Sequence, residues 1–176
     1  MRPVSDAFLL NMAEVSAGLT GLFLIGVFFY VETGFRRLDE AGGRVLEEYF
    51  RASTRIVLVL LALPLGLSLA LVVLEPAWST AIFALLGTVL VAANVDTARR
   101  IRAVQRATGS TTLLANEILG SAGVAVIVVV PWTLGGIDPT REDLTWAILV
   151  SFATAFASLL ALVLSVFDVP AHEGDR

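Results

Sequence analysis

The chain has 176 residues, of which 57% are hydrophobic and 16% charged, with a formal net charge of −4 and a mean hydropathy of +0.85. Soluble domains average about 45–50% apolar and about 25% charged residues, and here the apolar excess is gathered into long uncharged runs that suit an integral membrane protein. With no Cys, no Lys and His172 as the single histidine, disulfides, thiolate metal sites, Schiff bases and bis-histidine haem are excluded, and the acidic balance gives nucleic acid no footing.

Uncharged runs of about 20 residues read as membrane-crossing helices. The first covers 15–31, and its helix is expected to begin near position 7, with Ser5 or Asp6 as N-cap. A secretory signal peptide is not expected, because acidic residues precede this run and the arginines follow it. Asn11, Glu14, Gly18 and Gly21 recur at helical spacing and share one face. That face is polar at one end and nearly bare of side chains below. It suits either close packing against another helix or a polar cavity and ion path.

The segment RRLDEAGGRVLEEYFRASTR follows, and Gly42 and Gly43 are expected to interrupt any helix there. Beyond them, Val45, Leu46, Tyr49 and Phe50 line one face and Arg44–Glu48 and Glu47–Arg51 stand four apart. The pattern predicts a short amphipathic helix over 44–54 leading into the second span.

Spans two and three, 56–74 and 77–95, are separated only by Glu75 and Pro76, which predicts a tight helical hairpin with Trp78 at an interface. Ala62, Gly66 and Ala70 make a close-packing face on span two, and Pro64 withholds the amide that the Leu60 carbonyl would accept. Helix three is expected to run on through Arg106, with Arg99, Arg102 and Arg106 on one side and Asp96 paired to Arg100. Span four covers 118–137 and contains Pro131; Asn94, Asn116 and Glu117 are further polar candidates near span ends. Span five, 144–167, carries a stripe of small and hydroxyl residues that includes Ser151 and Ser158 and suits tight packing or a hydroxyl-lined path.

The expectation is a single all-α membrane domain over 1–168, a bundle of five spans, with a short cytoplasmic tail at 169–176. Nine arginines lie in the loops after spans one and three, and only Arg141 in the loops opposite. The positive-inside bias therefore places the N-terminus outside and the C-terminus in the cytoplasm. Use of Arg without Lys, with abundant Ala, Gly, Val and Leu, is compatible with a GC-rich prokaryote and hence with its cell membrane. Residues 11–18 (NMAEVSAG) and 116–123 (NEILGSAG) echo each other, as an inverted repeat would.

Two functional readings follow. One is a non-catalytic accessory, sensor or assembly subunit of a membrane complex. The other is a homo-oligomeric ion channel with a polar path near helix one, with a proton-coupled transporter as a variant. Asn11, Glu14, Asn116 and Glu117 are the candidates for the polar cavity or ion path; Gly18, Gly21, Gly66, Ser151 and Ser158 are the candidates for helix packing. No catalytic residue, cofactor or metal site is expected, because no nucleophile–base pair or ligand spacing is present. The expected partners are the lipid bilayer and either other copies of the chain or other membrane subunits.

Overall fold

The computed structural model describes residues 3–34, 43–108 and 111–167. Within them the chain forms five α-helices: α1 (Asp6–Gly34), α2 (Gly43–Val73), α3 (Pro76–Thr108), α4 (Thr111–Gly135) and α5 (Arg141–Phe167). All five are long and apolar enough to cross a membrane, and there is no strand among the described residues. The expected tail at 169–176 and the Arg36–Arg37 segment lie outside the described residues.

Local chemistry accounts for the helix ends. Ser5 Oγ accepts from Phe8 N at 3.2 Å and caps α1. Pro76 halts α2 and opens α3, as the hairpin reading requires. Ser79 Oγ then donates back to the Ala70 carbonyl at 3.1 Å, which also accepts from Leu74 N at 2.9 Å, and so ties the start of α3 to the last turn of α2. Gly136, with φ +66°, terminates α4 in the left-handed region. Thr140 and Asp143 form a reciprocal capping box at the start of α5: Thr140 N donates to Asp143 Oδ2 at 2.9 Å and Asp143 N to Thr140 Oγ1 at 3.3 Å. One expectation is corrected here. The segment 44–54 is not a separate amphipathic helix but the first turns of α2, because nothing between Gly43 and Pro64 breaks the helix.

Helices α2, α3, α4 and α5 pack in a closed ring, each against the next and α5 back against α2. The first helix stands outside this ring and packs chiefly on α2. The arrangement therefore differs from an even five-helix bundle: α2 has three neighbours and is the most buried span, and α1 is the least buried. Leu60, Leu63, Leu67, Phe83, Ile127 and Ile148 form the centre of the packed interior.

Small residues set the distances between helices. A Cβ on Gly66 would stand 3.3 Å from Leu86 Cδ1, so α2 and α3 approach closely there. The tightest contact joins α4 and α5, where a Cβ on Gly123 would lie 2.5 Å from Thr154 Oγ1 and 2.6 Å from its Cγ2. A β-branched side chain has little rotamer freedom to yield. Gly123→Ala is therefore expected to cost about 1–3 kcal/mol, the usual range for overpacking. Thr154→Ala should recover most of that loss when combined with it. Thermal unfolding of the two single variants and the double variant checks the expectation.

Candidate functional site

Two polar features of the fold bear on function: a cluster inside the ring and an unaccompanied carboxylate on α1.

The cluster lies at the arginine-rich end, where α2, α3, α4 and α5 enclose a cavity of about 30 Å³ bordered by Ser53, Asn94, Thr97, Glu117 and Ser158. Glu117 comes from the second turn of α4, which faces the ring, and its side chain is only 5% exposed. Its Oε1 accepts from Arg102 Nε at 3.2 Å, while the Arg102 side chain is 65% exposed. Arg102 thus reaches from the end of α3 to neutralise an acid held on α4. Asn94 Nδ2 donates to Ser121 Oγ at 3.2 Å, and Thr97 Oγ1 donates to the Ala52 carbonyl at 3.4 Å. Ser53, itself 6% exposed, has no hydrogen-bond partner among the described residues.

Beside the cavity, Asp96 Oδ2 accepts from Arg100 Nε at 3.0 Å, the pairing expected from the sequence, and also from Arg55 Nη1 at 2.9 Å. All three side chains remain open to solvent. Such pairs contribute at most about 1 kcal/mol each. They tie α2 to α3 at the rim.

On α1, Leu9, Ala13 and Ser16 are buried against the rest of the chain. Asn11, Glu14, Gly18 and Gly21 occupy the opposite side and are exposed. Nothing lies within 4 Å of a Cβ built on Gly18 or Gly21, so the bare face is unoccupied within this chain. Glu14 has no hydrogen-bond partner among the described residues. Its depth follows from its neighbour: Ser16 donates to the carbonyl of Leu61, which is at the middle of the span Phe50–Val73. Glu14 is two residues away, about 3 Å along the axis. Alignment with α2 therefore puts this carboxylate near mid-span, deeper than its place in the first apolar run suggests.

The sequence candidates thus separate into two groups. Glu117 and Ser158 border the cavity inside the ring, Gly66 and Ser151 serve packing inside it, and Asn11, Glu14, Gly18 and Gly21 share the outer face of α1. The side chain of Asn116 lies outside the described residues. The echoed segments occupy unlike positions, since Gly18 is open and Gly123 is pressed on Thr154. Sequence reasoning missed Ser53, Thr97 and the reach of Arg102. The available signal was that Ser53, Thr97 and Glu117 each lie a few turns inside a helix end of the same side.

The pair Arg102–Glu117 is unequally buried, and that gives a directional expectation. Arg102→Ala leaves a buried carboxylate without its counter-ion and should destabilise the protein by about 1–3 kcal/mol. Glu117→Gln leaves an arginine already in solvent and should cost less. Denaturation of the two purified variants in detergent checks the order. Comparison with protein-family models, with curated proteins and with solved structures gave no match.

Proposed function

We propose that this chain is a non-catalytic, multi-pass membrane subunit that assembles with another membrane protein through the outer face of α1. The observation that carries the reading is Glu14, an exposed, unpartnered carboxylate about a third of the way along a membrane-length helix and level with the middle of the neighbouring span. Ionisable side chains at the centre of a membrane helix cost about 2.5–3.5 kcal/mol on insertion scales and are found facing protein or water rather than lipid. A neighbouring helix laid on this face supplies the missing donor. Gly18 and Gly21 leave the room for its backbone to come close. The peripheral position of α1 suits the role, because a second helix can bind there without disturbing the ring. The arginine bias orients the assembly with the arginine-rich end in the cytoplasm of a prokaryotic cell, and hence the N-terminus outside.

A second reading rests on the same face. Asn11 and Glu14 place a donor and an acceptor one turn apart, so copies of this chain around an axis could satisfy each other and ring a path with carboxylates, which would favour cations.

The absence of Cys from the sequence makes the test direct. A Cys introduced at Gly21 is expected to cross-link in membranes to a different membrane protein, and Glu14→Gln is expected to weaken that complex roughly tenfold, the effect of about 1.4 kcal/mol. Cross-linking of the chain to itself, with cation flux in vesicles that Glu14→Gln reduces, would instead support the channel reading. A Cys at this position that cross-links to neither contradicts both.

A further inference from the structure

The cavity at the arginine-rich end has chemistry that the docking role does not use. Its volume of about 30 Å³ matches one water molecule or one small ion. Its border is half apolar, with Ile56, Leu60 and Ile101 among the lining residues, and half made of side chains that carry oxygen. Glu117 contributes a carboxylate that is 5% exposed. Asn94 spends an amide hydrogen on Ser121 and keeps its Oδ1 free to accept, and Thr97 spends its hydroxyl hydrogen on the Ala52 carbonyl and keeps its lone pairs. Ser53, more than nine-tenths buried and without a partner among the described residues, adds a further oxygen, and Ser158 closes the set from α5. A set of neutral oxygens around one carboxylate is the donor set of a hard monovalent cation. Anions are disfavoured, because Glu117 is itself anionic and Arg102 already rests on it.

We infer that this cavity is a binding site for a sodium-sized monovalent cation, with Glu117, Ser53, Asn94, Thr97 and Ser158 as oxygen ligands and Arg102 as the tethered cation that competes for it. The Arg102–Glu117 contact is a single Nε–Oε1 bond at 3.2 Å rather than a two-point fork. Because its side chain is 65% exposed, Arg102 can withdraw to water at little cost when an ion enters. Binding would then free the end of α3 from α4 and couple ion occupancy to the arrangement of the arginine-rich surface. The site lies within the ring formed by α2 to α5 and stands whether or not the α1 face docks a partner.

The test is the thermal stability of the purified full chain in detergent, titrated with sodium chloride against choline chloride at constant ionic strength. Sodium is expected to raise Tm by about 3 °C relative to choline. Arg102→Ala, which removes the competitor, is expected to lower the half-effective sodium concentration about tenfold, corresponding to about 1.4 kcal/mol, and its loss of stability should be recovered by sodium. Glu117→Gln should abolish the sodium effect. Ser53→Ala should weaken it about threefold or more and keeps the test decisive if Glu117→Gln does not fold. Identical Tm in sodium and choline for Arg102→Ala would mean that the cavity holds only water and would overturn the inference. A sodium effect unchanged in both Ser53→Ala and any folded Glu117→Gln would place the ion elsewhere and overturn it equally.

Discussion

Pro64 leaves the Leu60 carbonyl without its helical amide in the middle of the most buried span, and the rest of the architecture is arranged around satisfying that group. Ser151 of α5 donates its hydroxyl to Leu60 O at 2.6 Å. Ser16 of α1 donates to the next carbonyl, that of Leu61. Both serines are fully buried. At such buried positions no bulk water can take their place, so an unsatisfied carbonyl would be costly. The two hydroxyls therefore fix which helices lie against α2 and at what height.

That constraint propagates outward. With α5 held on one side of α2 and the Glu75–Pro76 hairpin holding α3 on another, α4 closes the ring by packing between α3 and α5. The contact of Gly123 with Thr154 sets how close that closure is. The ring brings Glu117 inward beneath Arg102 and leaves the small polar cavity among Ser53, Asn94 and Thr97. Through Ser16, α1 is clamped on α2 by its buried stripe, which turns Asn11, Glu14, Gly18 and Gly21 outward. The inner cluster and the outer face thus follow from one set of helix contacts. At the far end, Arg141 of α5 pairs with Asp6 of α1 and keeps the peripheral helix in register.

Helix existence was legible because run length and charge placement are properties of the chain itself. The hairpin at Glu75–Pro76, the N-cap at Ser5 and the Asp96–Arg100 pair could be read for the same reason: each is settled within a few residues. The freed carbonyl at Leu60 was legible too, but its donor was not, because Ser151 is remote in sequence and hydroxyls in membrane helices commonly bond their own turn, as Thr154 does to Val150 O at 2.8 Å. The bare face of α1 was visible as a pattern. Its direction was not, because α1 carries small residues on two sides: Ala13 and Ser16 take the inner one and Gly18 and Gly21 the outer. Glu117 stood out as a charge near a span end, whereas the cavity beside it needed four helices to form. Ser53 and Thr97 gave no local sign of belonging to it.

The dependence of the fold on the capped carbonyl is tested most directly by a double-mutant cycle between Pro64 and Ser151, read by reversible unfolding in detergent. Ser151→Ala alone leaves Leu60 O without a donor and should cost about 1–3 kcal/mol. Pro64→Ala restores a backbone amide four residues on, so in that background the same serine substitution should cost markedly less, with a coupling of about 1 kcal/mol. An equal cost for Ser151→Ala in both backgrounds would contradict the account, since it would show that the serine is retained for its size alone.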